Sequence, residues 1–256
     1  MKAENFNLPD YFARIGYDGD ARADLATAEA LMRCQLFSVP FENLDVQAGK
    51  VVSLVPEEIV AKIVGQRRGG YCYEVNGLFA MALEALGVPY RMVAARPMFY
   101  PMRRPRTHMA LVAELDGTHW LIDLGFGSYG IRAPLRLDHH GEVAQDHDTY
   151  RLSRPNEREY LLQARVDGEW ANQYAFDLSY QEWIDFMPAN YLNSTHPDAI
   201  FVQKLLVVLH NPEGRAILLG NRLKTVTRGV AETREIGKDE LPQVLREAFG
   251  LERAVA

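Results

Sequence analysis

The sequence predicts an α+β fold, in which helices come first, strands follow, and a smaller mixed segment ends the chain. Apolar residues recur at steps of three and four through residues 1–88, which is the spacing of amphipathic helices. From Pro89 to about Ala175 the pattern changes to short β-rich runs with hairpin signals at Asp116-Gly117 and Asp167-Gly168. Segregated helices and strands are typical of α+β proteins, whereas a doubly wound fold alternates them.

Three helices are predicted in the first part of the chain, over residues 25–36, 56–65 and 72–86. Each carries apolar side chains along one face. Pro40 stops the first helix, because proline cannot continue the helical hydrogen-bond pattern. Gly87 follows the third and fits the left-handed conformation that often ends a helix.

The last part of the chain is predicted to be mixed. Ser179 and Glu182 have the spacing of a capping box and predict a short helix through about Asn190. Strand-like runs return over residues 201–230, and a last helix is predicted over residues 239–249 because a glycine follows it directly.

The composition excludes several classes of protein. Hydrophobic residues make up 48% of the 256 residues and charged residues 24%, as in a globular protein with a buried core. The net charge of −6 disfavours nucleic acid and anionic membranes as partners, since both attract excess cations. No apolar run approaches the ~20 residues of a membrane span, and the N-terminus lacks the apolar core of a secretory signal. Two cysteines allow at most one disulfide, which favours a cytoplasmic location.

Cys72 is the first candidate for chemistry. Gly69 and Gly70 let the backbone turn sharply into the third helix, so Cys72 lies in its first turn. Unpaired N–H groups and the helix dipole there favour an anion, and therefore a thiolate nucleophile. The competing interpretation is a buried structural cysteine, which is how Cys34 is interpreted, since it lies in mid-helix among apolar positions.

The hairpin around Asp116-Gly117 brings a histidine and an aspartate together. A two-residue loop sets the register, which pairs Met109 with Leu124, Leu111 with Ile122 and Ala113 with Trp120. This closes one apolar face and places His108 and Asp123 diagonally on the other, with Cα atoms ~7–8 Å apart. A one-residue slip would separate them onto opposite faces. Gly125, opposite His108, leaves room for another group to approach.

The two hairpin residues and Cys72 together predict a catalytic centre. His108 alone would be interpreted as an ordinary strand histidine. Asp123 lies in an apolar strand, where a carboxylate needs a partner. A thiolate enzyme needs a histidine, and the histidine needs a third group that orients it.

Other patterns are interpreted as structural. Gly125, Gly127 and Gly130 match a dinucleotide-binding pattern, but that pattern requires a following helix, and none is predicted. The loop histidines lack cysteine or spaced carboxylate partners, so no metal site is predicted at His139, His140 or His147. A solvated loop is favoured for the basic run before His108, with phosphate contact at a cleft rim as the alternative: Arg91, Arg96, Arg103, Arg104 and Arg106.

These motifs together resemble the arylamine N-acetyltransferase family, and the short C-terminus resembles its bacterial members. The similarity is strongest between residues 11 and 130. The matching segments are Arg14-Ile15-Gly16-Tyr17, Val39 to Asp45, Arg68 to Asn76, Arg106-Thr107-His108, Asp123 to Gly127, and Ser194 to Pro197.

The resemblance implies three regions around a cysteine-protease-like catalytic core. Residues 1–88 would form a helical bundle that carries the nucleophile. Residues 89–190 would form a β-barrel that carries the histidine and aspartate, and residues 191–256 an α/β lid.

The resemblance also implies the site residues. The catalytic triad would be Cys72, His108 and Asp123. The acceptor pocket would be lined by Phe41, Phe126 and Phe201. Acetyl-coenzyme A would be the acyl donor, with no metal, and its contacts would be Thr107, Gly127 and Phe201. A structural ion-pair set beneath the site would consist of Arg14, Glu42 and Arg68.

The leading functional hypothesis is therefore ping-pong transfer of an acetyl group to an aromatic amine, hydrazine or N-hydroxyarylamine. The alternative is a thiol hydrolase or transglutaminase-like amidase, because the same triad cleaves amides in related architectures. A third hypothesis is a binding module in which Cys72 is buried and inert.

Overall fold

The computed structural model describes residues 1–127 and 129–252. The first part of the chain is helical. Its elements are α1 (Leu8–Ile15), α2 (Leu25–Ser38), strand β1 (Phe41–Glu42), α3 (Leu44–Gln47), α4 (Pro56–Val60) with a π-helical continuation (Ala61–Gly65), and α5 (Cys72–Leu86).

The three helices predicted here are confirmed as α2, α4 with its π-helical continuation, and α5. The side chain of Asp24 caps α2 by accepting a hydrogen bond from the backbone N–H of Thr27 at 2.8 Å. Gly87 ends α5 in the left-handed conformation, with φ 73°. Helix α5 is buried along most of its length and forms the centre of the core.

The middle of the chain forms an eight-stranded antiparallel sheet. Its strands are β2 (Tyr90–Pro97), β3 (His108–Leu115), β4 (Thr118–Ile122), β5 (Leu135–Arg136), β6 (Glu142–Gln145), β7 (Asp148–Ser153), β8 (Tyr160–Val166) and β9 (Glu169–Phe176). Their order is β5-β4-β3-β2-β9-β8-β7-β6. The Gln145 side chain at one end of the sheet hydrogen-bonds the backbone of Arg132 and Ala133 near the other end, so the sheet is a nearly closed barrel.

The predicted hairpin register is confirmed. Leu111 pairs with Ile122 and Ala113 with Trp120. The turn residues Asp116 and Gly117 have φ 50° and 70°, the left-handed values that a two-residue hairpin loop needs. The ladder ends at the pair of Leu111 with Ile122, so the predicted pair of Met109 with Leu124 does not form. Asp123, predicted to lie in the strand, begins the loop after β4 instead.

The last part of the chain packs a second sheet against the helices. Its elements are a 3₁₀ turn (Trp183–Phe186), α6 (Met187–Thr195), α7 (Ile200–Gln203), β10 (Leu206–Asn211), β11 (Gly214–Leu219), β12 (Arg222–Thr227), β13 (Val230–Glu235), a 3₁₀ turn (Lys238–Glu240) and α8 (Leu241–Phe249). The sheet order is β1-β10-β11-β12-β13, so a strand from the helical part completes it. The predicted last helix is confirmed as α8, and the region boundaries at residues 88 and 190 stay predictions.

Three predictions for this part are wrong. The capping box lies at Glu182 and Asp185, not at Ser179, because the backbone N–H of Ser179 is already bound to the Asp177 side chain. The helix also continues past Asn190 to Thr195. Phe201 lies on helix α7 and not on a strand.

Strand β1 connects the second, five-stranded sheet to the segment before α5. Phe41 pairs with Val208 on β10 and also forms a parallel bridge with Gly70. The second sheet is therefore hydrogen-bonded to the segment that leads into Cys72. Among residues 1–127 and 129–252, no helix has the length and apolar character to cross a membrane.

Candidate active site

Two glycines place Cys72 at the start of α5. A Cβ atom at Gly69 would lie 2.0 Å from the carbonyl oxygen of Pro40, so only glycine fits this approach. Gly70 donates to the same carbonyl at 3.2 Å. The Glu74 carboxylate then caps the helix by accepting from the backbone N–H of Tyr71 at 3.0 Å. Cys72 follows in the first turn and is 3% exposed.

A buried cluster of charges lies beneath this helix start. Lys62 Nζ lies 2.7 Å from a Glu74 carboxylate oxygen and 2.6 Å from one of Asp45. Arg68 donates two hydrogen bonds to Glu42, at 2.7 and 2.9 Å. Burial raises the pKa of Glu74 to about 7, although Lys62 acts in the opposite direction. Through Lys62, the cluster links the helix-capping residue Glu74 to Glu42 on strand β1.

The expected ion-pair set of Arg14, Glu42 and Arg68 is confirmed only for its last two members. Arg14 is buried, but it donates to backbone carbonyl oxygens, those of Ile63, Ser38 and Arg68, at 2.7, 2.9 and 3.1 Å. Its guanidinium satisfies carbonyls where the chain turns, and Lys62 supplies the additional charge in the cluster.

His108 and Asp123 form a buried pair. His108 Nε2 lies 2.7 Å from Asp123 Oδ2. The other carboxylate oxygen accepts from the Asn76 amide at 3.0 Å and from the backbone N–H of Gly125 at 2.9 Å. Burial lowers the pKa of His108, but the Asp123 carboxylate and the Cys72 thiol raise it more, and the result is about 10. Burial opposes ionisation of Asp123, yet His108 and Asn76 hold its pKa below the ordinary value.

The structure brings Cys72 to this pair. Cys72 and His108 line the same cavity, and the Cys72 sulfur lies 3.9 Å from the carbonyl oxygen of Thr107, the residue before His108. Gly125 packs directly against Cys72, since a Cβ atom at Gly125 would lie 2.5 Å from the Cys72 Cα. The room predicted opposite His108 is thus filled by the first turn of α5.

These residues open onto a cavity of about 870 Å³. Phe126 lies on its wall with its ring centroid 5.1 Å from that of His108. Phe41 and Phe201 lie on the wall too, with ring centroids 5.9 Å apart. The apolar lining beside a thiol and an imidazole suits a flat, apolar substrate.

Of the residues expected to contact the coenzyme, Thr107 lines the cavity and Gly127 does not. Thr107 lines the cavity, and its carbonyl accepts from the Tyr73 hydroxyl at 3.0 Å and from the Asn193 amide at 2.9 Å. Gly127 has φ 88°, and its carbonyl is bound by His210 Nε2 at 3.1 Å behind the cavity wall. Their contacts with a coenzyme stay predictions.

Two neighbours of the His108–Asp123 pair were not predicted from the sequence. Asn76 is one helical turn after Cys72, and its side-chain oxygen also accepts a hydrogen bond from the backbone N–H of Leu124. The i, i+4 spacing in the helix places Asn76 on the same face as Cys72, so this spacing was a signal for its position near the site. Tyr174 lies fully buried with its ring 4.9 Å from His108. It arrives on β9, far along the chain, and no local pattern points to it.

Three patterns were interpreted as structural: the glycine pattern that ends at Gly130, the loop histidines and the basic run before His108. After Gly130 the chain enters β5 and no helix begins. Across residues 1–127 and 129–252, no group of three or more His, Cys, Asp or Glu side chains could hold a metal. In the basic run, Arg106 pairs with Asp177 at 2.5 Å, and Arg104 lines the cavity.

Comparison with known proteins adds independent findings. A family model described as N-acetyltransferase matches residues 24–255. An arylamine N-acetyltransferase of Mycolicibacterium smegmatis is 37% identical over 249 residues, 93% of this chain and 88% of that protein. One from Escherichia coli K12 is 35% identical over 84% of this chain and 76% of its own length.

Solved structures agree. The arylamine N-acetyltransferase of M. tuberculosis superimposes with a TM-score of 0.92 at 33% identity, covering 97% of this chain and 94% of its own. That of Mycobacterium marinum, solved in complex with CoA, gives 0.91 at 31% identity, covering 96% and 93%. With this fold and this degree of identity over most of its length, the chain is an acyltransferase that belongs to the arylamine N-acetyltransferase family.

Proposed function

We propose that this protein transfers an acetyl group from acetyl-coenzyme A to an arylamine, arylhydrazine or N-hydroxyarylamine, through an acetyl-Cys72 intermediate. The observation that supports the route is that Cys72 and His108 lie on the wall of one cavity, with Asp123 bound to His108. The CoA complex of the M. marinum relative supports the donor. A Salmonella typhimurium relative, named also as an N-hydroxyarylamine O-acetyltransferase, supports the range of acceptors.

In the resting enzyme, Asp123 orients His108 and stabilises its protonated form. Because the pKa of His108 is about 10, the imidazole carries a proton at neutral pH. A positive imidazolium beside the sulfur stabilises Cys72 as a thiolate, which is the nucleophilic form.

In the first step, the Cys72 sulfur attacks the thioester carbonyl carbon. The N–H groups in the first turn of α5 have no helical partner and stabilise the oxyanion. The intermediate collapses, the carbon–sulfur bond to coenzyme A breaks, and the departing thiolate takes the proton from His108. One thioester is exchanged for another, so this step is nearly balanced and reversible.

In the second step, the acceptor amine attacks acetyl-Cys72 from the same cavity. His108 takes the proton that the amine loses. The carbon–sulfur bond breaks, the amide leaves, and Cys72 returns as a thiolate beside protonated His108. Residues 1–127 and 129–252 contain one such centre, so both half-reactions share it.

The test begins with intact mass after mixing with acetyl-coenzyme A alone. We expect a gain of one acetyl group in the parent and none in Cys72→Ser. Adding an arylamine should then discharge the acetyl-enzyme much faster than buffer does. Discharge by water at the same rate would support the hydrolase alternative instead.

Initial rates with both substrates varied test the order of the steps. Parallel double-reciprocal lines are expected for a shared cavity that holds the substrates in turn. Intersecting lines would mean a ternary complex and would exclude the two-step scheme.

A further inference from the structure

One face of the second sheet forms a wall of the active-site cavity. Residues directly opposite in an antiparallel ladder lie on the same face. One such row runs across the sheet from Phe41 through Val208, Ile217 and Lys224 to Thr233. The adjacent row runs from Leu206 through Leu219 and Arg222 to Glu235.

The character of this wall changes across the sheet. Next to the catalytic residues it is apolar, with Phe41 on β1 and Ile217 and Leu219 on β11 lining the cavity. One strand further, on β12, the lining side chains are Arg222 and Lys224. A cavity that is apolar at the reacting centre and cationic at its far end fits a long substrate with an anionic end.

The two cations have no acidic partner within the parts of the chain that the structure describes. No ion pair within 4.0 Å involves either side chain, even though Glu235 stands opposite Arg222 in the ladder. Apart from the Cys72–His108 pair, the other charged side chains on the cavity wall are Arg104 and Asp198. Positive charge therefore exceeds negative charge in the cavity and attracts anions.

The width of this wall, from Phe41, which bridges Gly70 two residues before Cys72, to Lys224, suits the proposed donor. Phe41 and Lys224 are three strands apart, which is roughly 14 Å at the usual ~4.8 Å spacing. An extended pantetheine arm, which separates the thioester from the first phosphate of coenzyme A, has a comparable length.

We propose that Arg222 and Lys224 bind the phosphate groups of the acyl donor, while Ile217 and Leu219 lie along its pantetheine arm. This inference rests on the proposed function. It makes the cationic pair a specificity determinant, which distinguishes a nucleotide-bearing thioester from a short one that lacks phosphates. Arginine and lysine are the side chains that phosphate oxygens prefer.

The test compares two donors with the same reacting thioester, acetyl-coenzyme A and acetyl-pantetheine. The measured quantity is kcat/KM with acetyl-coenzyme A divided by kcat/KM with acetyl-pantetheine. Formation of acetyl-Cys72 from each donor is followed by intact mass. In the double variant Arg222→Gln/Lys224→Gln this ratio should fall roughly tenfold or more, since hydrogen bonds to charged groups are lost. Each single variant should give an intermediate ratio.

The matched control is Arg228→Gln/Arg234→Gln. It removes the same charge from the same β12–β13 hairpin, but these arginines pair with Glu213 and Glu240 and do not line the cavity. Its ratio should equal that of the parent, and a common fall in both double variants would mean a general effect of charge.

The outcomes separate the two proposals. If the parent forms acetyl-Cys72 from acetyl-coenzyme A but the ratio is unchanged in the Arg222/Lys224 variant, the phosphate site is overturned and the proposed function stands. A fall in kcat/KM that is equal for both donors also overturns it. If the parent forms no acetyl-enzyme with either donor, the proposed function itself fails.

Discussion

Gly125 lies so close to the helix that carries the nucleophile that a Cβ atom on it would stand 2.5 Å from the Cα of Cys72. The same atom would lie 2.9 Å from the side-chain nitrogen of Asn76, which holds Asp123. The missing side chain therefore allows the loop after β4 and the first turn of α5 to share one site.

Gly125→Ala should consequently disturb the site and the fold together. The contact is with backbone, so one of the two segments must move, at a cost of ~1–3 kcal/mol in the free energy of unfolding. Acetyl transfer should fall much more than this loss of stability alone would cause. The measurements are urea unfolding and kcat/KM.

The control for this substitution is Gly65→Ala. A Cβ atom there meets nothing within 4 Å, so stability and activity should stay close to those of the parent. Parent-like kinetics in Gly125→Ala would contradict the close approach.

Asp123→Asn should lower both activity and stability. The carboxylate accepts three hydrogen bonds and faces a protonated imidazole. Leaving one member of a buried charged pair without its partner costs ~3–5 kcal/mol. Asp177→Asn is the matched control, because Asp177 forms a partly exposed pair with Arg106 that is worth ~0–1 kcal/mol. Equal effects of the two substitutions would mean that burial of Asp123 has no energetic consequence.

The His108–Asp123 pair should also make stability depend on pH. The pKa of His108 is about 10 in the folded protein and 6.5 ordinarily, so its stabilising contribution is complete below pH 6.5. As pH rises from 6.5 towards 10, the unfolded state binds fewer protons and this contribution is lost, at up to about 1.4 kcal/mol per pH unit.

This pH effect is best measured in Cys72→Ser, where no thiol exchanges a proton with His108. Unfolding free energy should decline across the window in Cys72→Ser and decline less in Cys72→Ser/Asp123→Asn. Identical slopes would show that Asp123 does not hold the proton on His108.

Phe126→Ala should weaken use of the aromatic acceptor. The Phe126 ring packs against His108 and against Tyr174, with centroids 5.1 and 4.8 Å apart, and lines the cavity. Loss of an aromatic contact worth ~0.5–1.5 kcal/mol should raise KM for an arylamine about two- to tenfold. Acetylation of Cys72 by the donor should change less than this.

Phe12→Ala serves as the control, because Phe12 packs on Tyr17 in the helical part and does not line the cavity. A rise in the arylamine KM of equal size in both variants would remove Phe126 from the acceptor pocket.

Local patterns were sufficient for several parts of this protein. Two glycines before Cys72 predict a helix start, because few other residues allow so sharp a turn. The Asp116-Gly117 loop fixes the strand register from Leu111–Ile122 to Leu115–Thr118, and this register returns the chain towards His108, with Asp123 in the loop just beyond the last pair. Both conclusions depend only on neighbours along the chain, which is why they hold in the structure.

Other predictions failed where a tertiary contact replaced a local one. Ser179 has the residue type of a helix cap, but its backbone N–H is already bound by Asp177. Arg14 was expected to pair with Glu42, yet it binds three carbonyls where the chain turns. Residue type indicates which bonds a side chain can form, and packing decides which it does form.

The sequence by itself thus determined the helix start at Cys72, the register of the hairpin between His108 and Asp123, and the family resemblance. Only the tertiary structure decided that α5 meets the loop at Gly125, and that Tyr174 lies beside the histidine. Only it assembled one cavity wall from β1 and the distant strands β10 to β13. The physical reason is that periodicity and turn chemistry act between neighbours along the chain, whereas close packing selects among many arrangements of the finished elements.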